Sequence, residues 1–285
     1  MSAENYDRFR VETIPRGEVD LALEAAAAEG WNPGLHDADC FWAIDPSGFF
    51  MGVLDGRVVG RASAVAYDDH FGFFGLFIVE PELRGRGCGS AITEAALRYN
   101  GTRNLGLDGV VAMEAKYAAR GFRAVHRSIR HAFTPRRAVE PRAGIVSAAG
   151  VPFEALVDYD ARHFPARRPG FLARWISQPD ATALAFVEGG SIGGFGVIRA
   201  CRKGRKIGPL FAEDDQVAEA LFQALCNAGI GESVYLDVPE PNAAAMALAH
   251  RHGMTPEFEC IRMYLRGDPG LPLDRIYGVT AFEVG

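Results

Sequence analysis

Leu76-Phe77-Ile78-Val79-Glu80-Pro81-Glu82-Leu83-Arg84-Gly85-Arg86-Gly87-Cys88-Gly89-Ser90 begins as an apolar strand, turns through three glycines and two arginines, and opens a helix near Gly87. Such a turn is suited to holding an anion. Its glycines let the chain curl tightly and bring successive N–H groups to one point, its arginines add fixed charge, and the positive end of the helix dipole faces the same place. A pyrophosphate fits that description.

Spacing separates three phosphate-binding patterns. A Walker loop ends in Gly-Lys-Ser/Thr, and no lysine stands here. A dinucleotide fingerprint started at Gly85 meets Ser90 where its third glycine belongs, although Asp108 lies at a suitable distance downstream, so that pattern is a minor alternative. The pattern Val-x-Pro-x-x-Arg-x-x-Gly-x-Gly between strand and helix fits at Val79, Pro81, Arg84, Gly87 and Gly89. Here the chain resembles the GNAT N-acetyltransferase superfamily, whose acyl-CoA pyrophosphate lies on this loop.

A second motif supports the resemblance. After a strand over Asn104 to Asp108 comes a short helix that ends in Tyr117-Ala118-Ala119-Arg120-Gly121-Phe122. In the superfamily a tyrosine four residues before Gly-Phe stands near the thioester sulfur as general acid, and the resemblance gives that role to Tyr117. The asparagine often found earlier in this motif is absent, with Val110 in its place. Read from the residues alone, Tyr117 is a half-buried helix residue packing on the sheet; the two motifs at family spacing are what favour the functional role.

The resemblance further implies acetyl-CoA as co-substrate and no metal. Its pantetheine arm would pair along Phe77, Ile78 and Val79, and its pyrophosphate would lie on Arg84, Gly85, Arg86, Gly87, Cys88, Gly89 and Ser90. The expected activity is transfer of an acetyl group to a primary amine of a small molecule or peptide. The alternative is a non-catalytic acyl-CoA-binding or interaction protein. A carboxylate on the strand before the turn is common in the superfamily, but Phe74, Gly75 and Leu76 supply none, so Asp108, His36 and Asp37 are the candidate proton acceptors. Asp108 is also an ordinary strand-end residue before Gly109. The loop Trp31-Asn32-Pro33-Gly34-Leu35-His36-Asp37 is expected to bind the acceptor through Trp31, His36 and Asp37.

The chain repeats itself. Met51 to Gly60 matches Leu184 to Gly193 in apolar pattern, acidic residue and both glycines, 133 residues later. Leu107-Asp108 answers Leu236-Asp237, Gly121-Phe122 answers Gly253-Met254, and Ile129-Arg130 answers Ile261-Arg262. A duplication explains this, with a polar, proline-bounded linker over Thr134 to Arg142. The expected fold is α/β of the α+β kind: two GNAT-like domains in tandem, at residues 1–135 and 142–285, each a mostly antiparallel mixed sheet flanked by helices. In the second copy Leu210-Phe211-Ala212-Glu213-Asp214-Asp215-Gln216 stands opposite the glycine turn, and its three acids would repel a pyrophosphate. That copy is expected to be a degenerate domain. Its remaining uses are shaping the acceptor pocket, burying an apolar face, or self-association as a homodimer. The first copy alone is expected to retain acyl-CoA binding.

Other signals are weaker. At 285 residues and 48% hydrophobic content, two ordinary soluble domains are accounted for. The net charge of −6 disfavours nucleic acid and anionic membranes as partners. Met1-Ser2-Ala3-Glu4-Asn5 lacks the basic start of a signal peptide, and no apolar run approaches the ~18 residues of a membrane span, so a cytoplasmic protein is expected. Five cysteines without a C-x-x-C pair read as reduced thiols, Cys88 being a small residue in a tight turn rather than a nucleophile. Gly189-Gly190-Ser191-Ile192-Gly193 satisfies the hydrolase pattern G-x-S-x-G but joins two strands, the wrong context. His250 and His252, two apart on a helix, diverge.

Overall fold

A computed structural model describes residues 9–285; the reading of Met1–Asn5 lies outside the described residues. The first half runs β1 (Phe9–Thr13), α1 (Arg16–Ala28), α2 (Asp37–Trp42), β2 (Phe49–Leu54), β3 (Arg57–Ala66), β4 (Phe71–Val79), α3 (Cys88–Asn100), β5 (Asn104–Val110), α4 (Glu114–Ala118) and β6 (Arg123–Phe133). The second half follows with β7 (Ile145–Ser147), α5 (Phe153–Asp160), α6 (Pro169–Trp175), β8 (Ala181–Glu188), β9 (Ser191–Ala200), β10 (Arg205–Ala212), α7 (Asp215–Cys226), β11 (Val234–Pro239), α8 (Ala243–Arg251), β12 (Thr255–Tyr264) and β13 (Ile276–Gly278). Helix α2 starts at Asp37, the last residue of the segment read as an acceptor loop, and the sequence pattern does not announce it. Residues Gly189 and Gly190 form the turn between β8 and β9, as the decoy reading requires.

Helix α3 shows how local sequence sets the site. Ile92, Ala96 and Asn100 fall four apart, on one buried stripe that packs on β3 and β2, and Gly101, at φ 62°, closes the helix. Burying that stripe fixes the direction of the helix, and so aims its N-terminus at the glycine turn.

All the described strands belong to one sheet, in the order β1-β2-β3-β4-β5-β12-β6-β11-β10-β9-β8-β7, with β13 on β10. The two halves exchange strands at its centre. Strand β12 of the second half inserts between β5 and β6 of the first, and β6 in turn pairs with β11 of the second. Thus the halves are mixed-sheet units as the repeat predicts, but they share one continuous sheet. One apolar core also draws on both, from Phe41 and Phe73 to Trp175, Phe195 and Val284. A chain cut at residue 135 would lose the partner that separates β5 from β6 and bare both strand edges. The topology counts against the expectation that the first half alone retains acyl-CoA binding.

Two buried ion pairs lock the exchange, and they are the two halves of one repeated motif. Arg262 of β12 forks onto Asp108 of β5 at 2.7 and 2.7 Å, and Arg130 of β6 forks onto Asp237 of β11 at 2.6 and 2.8 Å. Both pairs sit at matched register positions and are almost wholly enclosed. The recurrence of Leu-Asp and Ile-Arg in the sequence therefore marks reciprocal contacts between the copies.

Candidate active site

Strands β4 and β5 run parallel, paired from Phe71–Asn104 to Phe74–Leu107, and then part. Leu76 marks the parting with a left-handed φ of 48°. Beyond it one edge of β4, at Phe77 to Val79, faces a cleft of about 580 Å³. Arg84, Gly85, Gly87, Gly89 and Ser90 line one end, and Tyr117 and Trp31 border the other. Gly87 has φ 92° as the cap of α3, a conformation an L side chain resists, so the turn needs glycine there. The first N–H groups of α3 lack intrahelical partners and open into this end.

Arg84 lies ready at the mouth. Its Nε donates to the Val79 carbonyl at 2.9 Å, and its Nη2 meets Glu29 at 2.5 Å. Arg86 is exposed and outside the cleft lining, while the Cys88 side chain is buried, so Cys88 can contribute only its backbone. Lys116 and Arg120, which flank Tyr117, add two cations to the cleft wall that the sequence reading passed over. Their spacing of four on one short helical stretch was the available signal.

Tyr117 borders both this cleft and a smaller inner chamber of about 40 Å³. Its ring meets Phe74 and Phe122 edge-on at 6.5 and 6.3 Å. Burial, with a further push from the neighbouring Cys260 thiol, raises its hydroxyl to about 12, so Tyr117 keeps its proton throughout the neutral range.

The candidate proton acceptors fare differently. Asp108 borders the inner chamber, but both its oxygens are held by Arg262 and its side chain has no exposed surface. Burial pushes its carboxyl up against the opposing pull of Arg262. Taking a proton would break a buried ion pair, so the structure gives Asp108 a structural task instead. Asp37 is likewise enclosed, bonded to Arg199 at 2.8 and 3.1 Å and to the Gly34 N–H at 2.7 Å. His36 stands outside both cavities, 3.5 Å from Asp180. Of the acceptor loop only Trp31 faces the cleft. The rest is sewn to the second half through Asn32 to Lys203 at 3.0 and 2.8 Å and the Leu35 N–H to Ala200 at 3.0 Å.

In the second half the equivalent cleft is filled. Strands β10 and β11 pair in parallel only from Arg205 to Ile207 and then part, as β4 and β5 do, but β13 enters the gap and pairs with Leu210 and Phe211. Asn242 secures it, capping α8 at Ala245 (2.9 Å) while donating to the Ile276 carbonyl (3.1 Å). Asp214 caps α7 through the Val217 N–H at 2.8 Å, and Glu213 pairs with Arg275 at 2.6 Å. Acids therefore stand at the turn where the first half has its glycines.

Comparison with known proteins agrees with this geometry. The Acetyltransferase (GNAT) family profile matches residues 18–122, and an Acetyltransferase (GNAT) domain profile matches residues 156–278. The chain belongs to the GNAT superfamily. It is a tandem GNAT acyltransferase: "Holothin acyltransferase" of Pseudoalteromonas sp. (strain SANK 73390) is 27% identical over 269 residues, covering 94% of this chain and 92% of that protein. A proposed acetyltransferase from Pyrococcus horikoshii superposes with a TM-score of 0.83 at 20% identity, over 98% of this chain and 96% of its own. A tandem GNAT protein from the clavulanic acid biosynthesis pathway superposes at 0.61 and 15% identity, over 92% and 99%. GNAT enzymes use acyl-CoA, and the glycine turn with its left-handed Gly87 is a fitting cradle for the phosphates of that group. Among the described residues no helix is long and apolar enough to cross a membrane, and no cluster of side chains is suited to a metal ion.

Proposed function

We propose that this GNAT enzyme transfers an acetyl group from acetyl-CoA to a primary amine of a small molecule or peptide, in the cleft of the first half. The catalytic domain spans residues 1–135, and residues 142–285 form the degenerate partner. The observation that carries this reading is the single cleft with an anion cradle at one end and a protonated Tyr117 at the other. The pantetheine arm would lie on the free edge at Phe77, Ile78 and Val79, and the pyrophosphate on the backbone of Arg84 to Ser90. An alkylamine of pKa ~10.4 costs roughly 4 to 5 kcal/mol to neutralise at pH 7, so the site needs a proton acceptor beside the nitrogen and a donor beside the leaving sulfur. Tyr117 suits the second task.

Arg84 must leave Glu29 to meet a phosphate. That exchange is favourable, because an exposed pair contributes under ~1 kcal/mol whereas a charge-assisted bond to phosphate contributes ~1.5 to 3 kcal/mol. Arg84→Ala, and Gly87→Val in the turn, are each expected to weaken acetyl-CoA binding at least tenfold, about 1.4 kcal/mol, by calorimetry. Unchanged affinity in both would remove the cradle assignment. Thiol release from acetyl-CoA with a panel of amines tests the transfer itself. Holothin, the acceptor in the relative's name, belongs in that panel.

A further inference from the structure

Glu283 is 2% exposed and borders the inner chamber, and neither of its carboxylate oxygens has a hydrogen-bond partner among the described residues. Buried polar groups are nearly always paired, so an orphaned carboxylate in a cavity calls for an explanation. Its backbone is firmly placed. The Val279 N–H bonds to the Asp237 carbonyl at 2.9 Å, Arg168 holds Thr280 at 2.8 Å and the Gly285 carbonyl at 3.1 Å, and Tyr67 donates to the Val284 carbonyl at 2.7 Å.

The route of this tail follows the pseudo-symmetry of the molecule. Gly75 and Gly208 stand at equivalent points of β4 and β10, 133 residues apart. A Cβ on Gly208 would lie 2.4 Å from the Thr280 carbonyl oxygen, and one on Gly75 would lie 2.0 Å from that of Glu283. The tail therefore leaves the filled cleft of the second half, crosses between the two glycines and sets Glu283 against β4 of the first. Phe74, Gly75 and Leu76 supply no carboxylate there themselves.

The chamber around Glu283 has aromatic walls with charged groups behind them. Trp31, Phe74, Phe77, Phe258 and Phe282 give aromatic walls, and Tyr117 stands on the rim. Behind Phe258 and Phe282 lies the Arg130 guanidinium, 5.6 and 5.1 Å from their ring centres. The charged and titratable groups facing Glu283 are Arg130, Arg199, Lys206 and Cys260, with Asp108 and Asp237 beyond. Arg130 is paired with Asp237 and Arg199 with Asp37, whereas the Lys206 ammonium, among the described residues, bonds to the Asn32 carbonyl alone. Burial pushes the Cys260 thiol well up, which leaves it inert.

We propose that Glu283, delivered by the second half, binds the acceptor's ammonium group and takes its first proton. The inference rests on the acyl-CoA reading above and adds the missing proton acceptor to it. Glu283 accepts one ammonium proton; the freed lone pair forms the C–N bond as the C–S bond of the thioester breaks. Tyr117 protonates the departing sulfur and regains the proton that the nitrogen loses on becoming an amide. The proton on Glu283 passes to solvent when product leaves, so charge and atoms balance.

Benzylamine is the probe, with thiol release from acetyl-CoA followed in the full-length protein across pH, and acetyl-CoA affinity measured in parallel by calorimetry. Glu283→Gln is expected to bind acetyl-CoA as the wild type does and to transfer at least tenfold more slowly at pH 7. The deficit should shrink as pH rises past the amine's own pKa, because the amine then arrives neutral. Glu283→Asp, which only withdraws the carboxylate, should recover part of the rate. Wild-type rates in Glu283→Gln, a deficit equal at every pH, or no transfer to benzylamine by the wild type would each overturn the proposal. Failure of the wild type to bind acetyl-CoA would instead overturn the acyl-CoA reading.

Discussion

Tyr117→Phe is expected to slow acyl transfer by roughly 10²-fold or more while acetyl-CoA affinity stays within a few-fold. The substitution keeps the ring against Phe74 and Phe122 and removes only a hydroxyl that bonds to no described residue. Burial raises that hydroxyl to about 12, which sets the sign of the pH dependence: the donor is protonated below that value and spent above it. Wild-type activity should therefore show no alkaline fall traceable to Tyr117 below pH ~10. Single-turnover thiol release across pH, set beside calorimetric affinity, checks both statements. A variant with wild-type turnover at every pH would return Tyr117 to the packing residues.

Asp108→Ala is expected to destabilise the whole fold, by about 3 to 5 kcal/mol, because it strands the Arg262 guanidinium in an enclosed site. Burial opposes the Arg262 charge, and Asp108 with Tyr264 offsets that opposition; once the carboxylate goes, the guanidinium, which proteins do not deprotonate, is left charged and enclosed without its main counter-charge. Asp237→Ala should cost a similar amount, since Arg130 and Asp237 make the equivalent contact on the other side of the exchanged strands. Replacing Asp108 and Arg262 together with apolar residues of similar volume should cost much less than Asp108→Ala alone. Chemical denaturation of the three variants decides the matter. Full stability of Asp108→Ala with lost turnover would make Asp108 the proton acceptor after all.

The features legible in the sequence are those carried by contiguous residues. The glycine turn, the short Tyr117 helix and the acids that replace the turn in the second half each declare themselves within about a dozen positions, because backbone conformation and local charge decide them. Asp108, Asp37 and Glu283 are of another kind. Arg262 lies 154 positions from Asp108, and Arg199 lies 162 from Asp37. A lone aspartate near a turn gives no hint of such a partner. The apolar residues of β6 likewise suit a strand without naming its mate, so the exchange of β6 and β12 is not legible in the sequence. Yet the repeated Leu-Asp and Ile-Arg pairs were already in view, and each proves to be one end of a reciprocal contact. Glu283 sits in an aperiodic tail where no motif announces it; only the packing of Gly75 against its carbonyl shows where it goes.

The second half thus has a physical reason to persist. Its cleft is closed by β13, its strand β12 completes the first sheet, and Phe258, Cys260, Phe282 and Glu283 wall the inner chamber beside Tyr117. A crystal structure of the full chain with acetyl-CoA is the decisive measurement. One molecule per chain is expected, its pyrophosphate on Arg84 to Ser90 and its sulfur beside Tyr117, with β13 still seated on β10. A pyrophosphate bound elsewhere, or a second molecule that displaces β13 from the other cleft, would contradict that expectation.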